Sequence, residues 1–324
     1  MLHLLFDSAF SDNRLYNFDL ALYVIGETDR KEFAPDLLIT FGGHIVSKRL
    51  KKLLHEHPPT EHWHISESGE IIDLFCSLTA VIEMEPTIFI QKLIEYERKL
   101  QDGKIFNCKL HHFMHKWIEC CSLMPASSFE YSAMDAISRL LYMIPNNSIL
   151  HLSNSSAVRY AQLFKLPNSV KIFCNRGTNG IEGSLSSAVG YAASSNKLNF
   201  VVIGDLSFFY DMNALWNPNI GSNLRIMLIN NGGGEIFYSL PGLKMNGSVK
   251  DFITATHSTT AKGWAKERGF LYFGIENNNE LSNALKTFTS TENTEVPMLI
   301  EVFTSADNDV KLLKGFYHGC SLLK

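Results

Sequence analysis

Two apolar runs, Asn199-Phe200-Val201-Val202-Ile203 and Leu224-Arg225-Ile226-Met227-Leu228-Ile229, flank a segment, Leu206 to Trp216, whose pattern reads as a helix. Short, nearly continuous apolar runs of this kind read as strands buried on both faces. Strand, helix, strand in that order is the unit of a parallel sheet, and it carries the residues that follow each strand to the same carboxyl edge. Those residues are Gly204-Asp205 after the first run and Asn230-Asn231 after the second. Gly204 lets the backbone approach a ligand, and Asp205 offers a hard carboxylate oxygen. The N–H groups that open the helix, at Leu206 and Ser207, face any phosphate held beside that carboxylate. Mg²⁺ shares its octahedral oxygen shell among a few protein oxygens, waters and substrate phosphates, so one carboxylate, one amide and one carbonyl suffice. Gly232-Gly233-Gly234 leave such a carbonyl sterically free. Gly-Asp alone is an ordinary turn signal; its pairing with Asn-Asn carries the reading.

The same alternation continues along the chain. Helical patterns are expected near Arg14 to Val24, Val46 to His55 and Tyr131 to Met143, with a further helix beginning near Ser184. Strands are expected at Leu37 to Phe41, Trp63 to Ser66, Ile149 to Leu152, Val170 to Cys174 and Met298 to Phe303. Asn154-Ser155 reads as the cap of the helix after the Ile149 strand. The fold class is therefore α/β, with two doubly wound parallel-sheet domains. A length of 324 residues agrees with two cores rather than one. The segment Cys120 to Ser128, with Pro125 and two serines, is the expected junction, dividing the chain into 1–122 and 123–324.

Composition excludes several classes of function. A net charge of −4 gives no basic face for nucleic acid. The longest apolar stretch, Ile71 to Met84, is broken by Asp73 and Glu83 and is too short to span a bilayer. Six cysteines without CxxC spacing read as reduced thiols, and with no export signal the expected compartment is the cytoplasm. His111 and His115 stand one helical turn apart, but no further ligand completes a metal set, so packed surface histidines are the simpler reading.

Three segments narrow the family: Asn175-Arg176-Gly177-Thr178-Asn179-Gly180-Ile181-Glu182-Gly183, then Gly204-Asp205-Leu206-Ser207-Phe208-Phe209-Tyr210-Asp211, then Asn230-Asn231-Gly232-Gly233-Gly234-Glu235-Ile236-Phe237. The Gly-Asp to Asn-Asn pair resembles the thiamine diphosphate signature. The set as a whole resembles the MenD-type synthases of menaquinone biosynthesis, whose version of the motif accommodates Leu206. Gly42-Gly43-His44-Ile45-Val46-Ser47-Lys48-Arg49-Leu50 is similar to another segment of that family. The resemblance implies a middle domain over 1–122 and a diphosphate-binding domain over 123–324. It also implies that the family's N-terminal pyrimidine-binding domain, which bears the glutamate that activates the cofactor, is absent, leaving no catalytic residue of that kind here. The parent enzyme is expected to be a homodimer or homotetramer, and this portion alone to be inactive.

By the same resemblance, Asp205, the Asn231 side chain and the Gly233 carbonyl hold Mg²⁺ (or Mn²⁺), while Gly204, Leu206 and Ser207 meet the diphosphate. Asn230 is expected to hydrogen-bond structurally. Ile181 falls where the family supports the bent cofactor, although an isoleucine there serves equally as core. Ser155 and Arg159 match a Ser-x-x-x-Arg pair and share a helix face. With Arg176 they are expected to bind the carboxylates of 2-oxoglutarate and isochorismate, a task suited to planar bidentate guanidinium. Lys48 and Arg49 match basic residues directed at substrate, with a solvated helix face as the alternative. Ile236, Phe237 and Leu240 resemble an apolar wall over the acceptor ring, while Glu235 stands where relatives carry a neutral residue. Another thiamine diphosphate-dependent 2-oxoacid decarboxylase, an acetohydroxyacid synthase-like enzyme, and a noncatalytic diphosphate-binding module remain the competing readings.

Overall fold

Central strands with no exposed face set the architecture. In the computed structural model, Asn199–Gly204 and Leu224–Asn230 form neighbouring parallel strands whose side chains are buried almost without exception. A strand buried on both sides needs a helical layer above and below, as parallel sheets in α/β domains have. The described residues are 17–26, 29–42, 45, 47–100, 107–122, 129–240, 242–292 and 295–321. The side chains of 97–100, 107–112, 114, 122 and 321 lie outside that description. Gly43, His44, Val46 and Pro241 lie outside it too, and so does the part of the expected first helix that precedes Asn17. The chain divides into two compact units, Asn17–Pro125 and Ala126–Gly319.

The first unit runs α1 (Phe18–Val24), a 3₁₀ turn (Arg30–Phe33), β1 (Leu37–Phe41), α2 (Lys48–Glu56), β2 (Glu61–Ser66), β3 (Ala80–Glu83), α3 (Pro86–Leu100) and α4 (Asn107–Ser122). Its three strands are parallel and lie in the order β1-β2-β3. Within the apolar stretch from Ile71 to Met84, only Ala80–Glu83 becomes strand. Ser47 caps α2 by accepting the Leu50 N–H at 3.0 Å. Phe33 and Trp117 meet edge-on at 5.2 Å in the core.

The second unit runs α5 (Ala133–Met143), β4 (Ile149–Leu152), α6 (Ser156–Ala161), β5 (Lys171–Cys174), α7 (Ser184–Ala193), β6 (Asn199–Gly204) and α8 (Asp205–Asp211). It continues through β7 (Leu224–Asn230), a 3₁₀ turn (Glu235–Ser239), α9 (Gly247–Phe252), α10 (Lys262–Glu267), β8 (Leu271–Ile275), α11 (Asn278–Phe288), β9 (Met298–Phe303) and α12 (Ala306–Ser321). Six parallel strands take the order β5-β4-β6-β7-β9-β8. The order reverses between β4 and β6: the chain goes outward from β4 to β5, then returns and builds the other way. Ligands of doubly wound sheets bind outside the strand ends at such a switch point.

Alternate residues of β6 and β7 face opposite layers. Val201, Ile203, Ile226 and Leu228 pack with Leu185, Phe208 and Ala265 in one apolar cluster. Across the sheet, Phe200 meets Phe288 of α11 at 5.7 Å. Each such fully buried large side chain contributes roughly 1.5–3 kcal/mol relative to exposure.

The structure departs from sequence expectation in several places, and β3 is a strand not expected from the sequence. The helix expected from Leu206 to Trp216 is α8 over Asp205–Asp211, followed by a 3₁₀ turn over Met212–Leu215. Strand β8 was not foreseen, although Leu271-Tyr272-Phe273 between Gly269 and the Asn277 cap carries a strand signal. Ser155 occupies the N-cap of α6 but makes no capping hydrogen bond, because its backbone, at φ 70° and ψ −132°, leaves the region from which a cap side chain reaches back.

Candidate active site

The β6–α8 and β7–turn junctions are tied together by Asp205. This residue is buried at the first position of α8, and its Oδ2 accepts the N–H groups of Gly232 and Gly233, each at 2.9 Å. Its Oδ1 accepts the Leu206 N–H at 2.6 Å. A carboxylate has about four lone-pair sites, so Oδ1 keeps capacity for a cation. His257 brings its Nε2 to 3.3 Å from Oδ2, and that carboxylate holds the imidazole above its ordinary pKa.

The two asparagines at the end of β7 separate in role. Asn230 donates to Glu301 Oε1 at 2.7 Å and to the Thr259 carbonyl at 2.9 Å, inside the fold. Glu301 is fully buried and is further satisfied by Ala261 N–H and the Tyr272 hydroxyl. Asn231 turns the other way and donates through Nδ2 to Glu235 Oε2 at 2.6 Å. The Gly233 carbonyl accepts the Glu235 N–H at 3.0 Å, which leaves it one lone pair.

The glycines of this edge differ in what they require. Gly233 has φ 145°, and a Cβ there would stand 2.6 Å from the Thr254 carbonyl, so both backbone and packing demand glycine. Gly204 has φ −80° and ψ 162°, open to any residue, and a Cβ there would meet nothing within 4 Å. The protein itself gives no reason for glycine at 204. Open space beside Asp205, together with carboxylate, amide and carbonyl oxygens, fits Mg²⁺ carrying a diphosphate. Among the described residues no group of three or more His, Cys, Asp or Glu could hold a metal. A cation at this edge therefore depends on amide and carbonyl oxygens beside Asp205.

The β5–α7 loop is clipped to the same edge. The Ser207 hydroxyl donates to the Ile181 carbonyl, which joins two of the expected cofactor contacts. Asn154, at the end of β4 and 3 % exposed, donates to the carbonyls of Asn175, at 2.6 Å, and Gly180. Its Oδ1 accepts from Arg176 at 2.8 Å. Burial lowers the Arg176 guanidinium below its ordinary pKa, and the positive charge of Arg159 lowers it further. It remains a cation, so α6 and the β5 loop set two positive charges near each other.

Glu235 is the buried acid of the site, 5 % exposed, with Oε1 receiving the Tyr160 hydroxyl at 2.5 Å. Burial and the nearby Asp309 push its carboxyl up to about 8. Ile236 and Phe237 follow on the 3₁₀ turn and are half-buried, while Leu240 just beyond it is exposed. Lys48 and Arg49 stand in the first unit. There Lys48 is exposed, and Arg49 pairs with Asp19 and lies 5.1 Å from the Tyr23 ring centroid.

His257, Tyr160 and Asn154 were not assigned to the site from sequence. Each reaches it through tertiary contact, and none sits in a motif that marks it.

No family model matches the chain. It is similar to curated proteins named 2-succinyl-5-enolpyruvyl-6-hydroxy-3-cyclohexene-1-carboxylate synthase. The Bacteroides thetaiotaomicron protein is 54% identical over 302 residues, covering 93% of this chain and 53% of its own length. That of Phocaeicola vulgatus is 52% identical over 303 residues, covering 94% and 53%. That of Flavobacterium psychrophilum is 39% identical over 307 residues, covering 94% and 54%. The chain thus spans about half the length of the curated relatives it matches.

Proposed function

We propose that this chain is the middle and diphosphate-binding portion, 1–122 and 123–324, of a thiamine diphosphate- and Mg²⁺-dependent transferase of the 2-succinyl-5-enolpyruvyl-6-hydroxy-3-cyclohexene-1-carboxylate synthase kind. In that role the whole enzyme decarboxylates 2-oxoglutarate and adds the resulting four-carbon unit 1,4 to isochorismate in menaquinone biosynthesis. The observation that carries the reading is the convergence of Asp205, Asn231 and Gly233 on one sheet edge, beside a Gly204 that no protein contact requires. The names of the relatives support it.

Asp205, Asn231 Oδ1 and the Gly233 carbonyl would hold Mg²⁺ or Mn²⁺, and the Ser207 N–H would meet the diphosphate, while the Leu206 N–H, against sequence expectation, is taken by Asp205 Oδ1. When bound, thiamine diphosphate supplies the decarboxylation and the carbon–carbon bond formation. Ile181 would support the cofactor's bent conformation. Arg159 and Arg176, with Ser155, would anchor substrate carboxylates as fixed cations. Ile236, Phe237 and Leu240 would line the acceptor ring. Two arginines near each other suit an enzyme with dicarboxylate substrates better than one acting on pyruvate.

The relatives' greater length agrees with an activating glutamate borne outside these residues, so catalysis by this chain alone is not expected. The described cysteines Cys76, Cys120, Cys121, Cys174 and Cys320 are free thiols, which supports a cytoplasmic home. No described helix is long and apolar enough to cross a membrane. The whole enzyme is taken to be a homodimer or homotetramer. The test is turnover of 2-oxoglutarate with isochorismate by the full-length protein, with thiamine diphosphate and Mg²⁺. Product from pyruvate but none from this substrate pair would overturn the assignment.

A further inference from the structure

We infer that Glu235 is a positioning residue that orients the Asn231 amide, so that its oxygen rather than its NH₂ group is offered to the cation. The inference rests on the metal–diphosphate reading above. An asparagine side chain is nearly symmetric in shape, and a half-turn exchanges an acceptor for two donors. Facing a divalent cation, the exchanged form presents N–H groups where an oxygen must coordinate. Something beyond sterics has to select the rotamer.

Glu235 supplies that selection. It follows Gly232-Gly233-Gly234 directly, at the start of the 3₁₀ turn, and its Oε2 accepts Asn231 Nδ2 at 2.6 Å. With the amide nitrogen engaged there, Oδ1 is the atom left for a metal. The other carboxyl oxygen, Oε1, lies 2.5 Å from the hydroxyl of Tyr160, a residue 1 % exposed on α6. That contact can carry a proton in either direction, so Oε2 accepts from Asn231 whether or not the acid is ionised. Tyr160 in turn fixes the acid. Helix α6 also carries Arg159 and follows Ser155, so one buried carboxyl ties the metal loop to the helix of the dicarboxylate arginine.

Burying a carboxyl so near Asp205 and Asp309 is unfavourable, and packing alone would be served by an amide or an apolar side chain. The carboxyl serves both neighbours at once: Oε2 accepts from Asn231, and Oε1 shares a proton with Tyr160. Groups that orient metal ligands in this way typically change metal affinity about 10–100-fold when removed.

The experiment is Mn²⁺ binding to the full-length protein with thiamine diphosphate, followed by electron paramagnetic resonance, with thermal melting as a separate readout. Glu235→Leu is expected to weaken Mn²⁺ binding tenfold or more while the chain still melts cooperatively. Glu235→Gln, whose carbonyl can still accept from Asn231, is expected to recover most of the affinity. Asn231→Asp sets two carboxyls against each other and should also weaken binding tenfold or more. Combining it with Glu235→Gln restores a donor–acceptor pair and is expected to bring binding back to within about threefold of the parent protein. A folded Glu235→Leu chain with parental affinity, or a double variant no better than Asn231→Asp, overturns the inference and leaves the metal site standing. If the full-length protein holds no Mn²⁺ with thiamine diphosphate, or Asp205→Ala binds as well as the parent, the metal-site reading itself fails and the inference falls with it.

Discussion

The Asp205 carboxylate accepts the Gly233 N–H at 2.9 Å, which joins the anion at the end of β6 to the glycine turn after β7. One residue thus fixes the shape of the loop and offers a lone pair to a cation. Removing it has two separable effects. Asp205→Ala is expected to abolish Mg²⁺-dependent binding of thiamine diphosphate in calorimetry. It should also lower stability by about 1–3 kcal/mol, because the buried Gly233 N–H and the part-buried Gly232 N–H lose their acceptor. Unchanged cofactor affinity with the metal present would remove the central assignment.

Gly204 and Gly233 should respond oppositely to the same added methyl group. Gly233→Ala forces a Cβ to 2.6 Å from the Thr254 carbonyl at φ 145°, and is expected to cost about 1–3 kcal/mol in thermal or denaturant unfolding. Gly204→Ala places its Cβ in open space at an ordinary φ, so melting should be nearly unchanged while diphosphate affinity drops. Equal loss of stability in the two variants would mean that no ligand space lies beside Asp205.

Arg159→Ala and Arg176→Ala, made in the full-length protein, should impair use of 2-oxoglutarate or isochorismate far more than cofactor binding. Each charge-assisted contact is worth roughly 1.5–3 kcal/mol, or about ten- to more than a hundredfold in kcat/KM. Steady-state kinetics with each substrate in turn decides the matter. Parental kcat/KM for both substrates in both variants would return the arginines to structural ion pairing.

His151 gives a pH dependence independent of the ligand site. It is 6 % exposed on β4, with Nε2 3.1 Å from Asn199 Oδ1 and its ring stacked on Phe173. Asn199 Nδ2 is already committed to the Lys197 carbonyl, so the histidine is the donor. Burial lowers the imidazole below its usual pKa, and below about pH 6.5 the unfolded chain binds a proton that the folded chain resists. Stability is therefore complete above that pH and declines as pH falls through it, by at most about 1.4 kcal/mol per unit. Melting of the parent chain and His151→Gln from pH 7.5 to 5.5 should diverge, with the variant flatter. Parallel curves would assign the acid sensitivity elsewhere.

Much of the fold was legible because parallel strands buried on both faces leave continuous apolar runs. Ile149–Leu152 and Met298–Phe303 were placed to the residue, and β6 and β7 to within one. The position of the proposed metal ligands in the fold was legible for a related reason: Gly204-Asp205 and Asn230-Asn231 follow their strands directly, so local sequence fixes their address on the sheet. Strand β8 was less visible, since a short aromatic run at a sheet edge lacks the continuous apolar signal of a central strand.

What sequence alone could not decide was which group each polar side chain would meet. Asn230 and Asn231 are identical neighbours, yet an extended backbone sends successive side chains to opposite sides, one to the buried Glu301 and the other to Glu235. Asn154 reads locally as a helix cap, but Arg176, Asn175 and Gly180 claim its amide once β4 and β5 pair. Tyr160 and His257 carry no motif and reach Glu235 and Asp205 only through packing. Local sequence determines where a strand ends because burial periodicity is a property of consecutive residues. Hydrogen-bond partners distant in sequence are chosen by the tertiary fold, since a polar group withdrawn from water must take whichever donor or acceptor packing brings within reach.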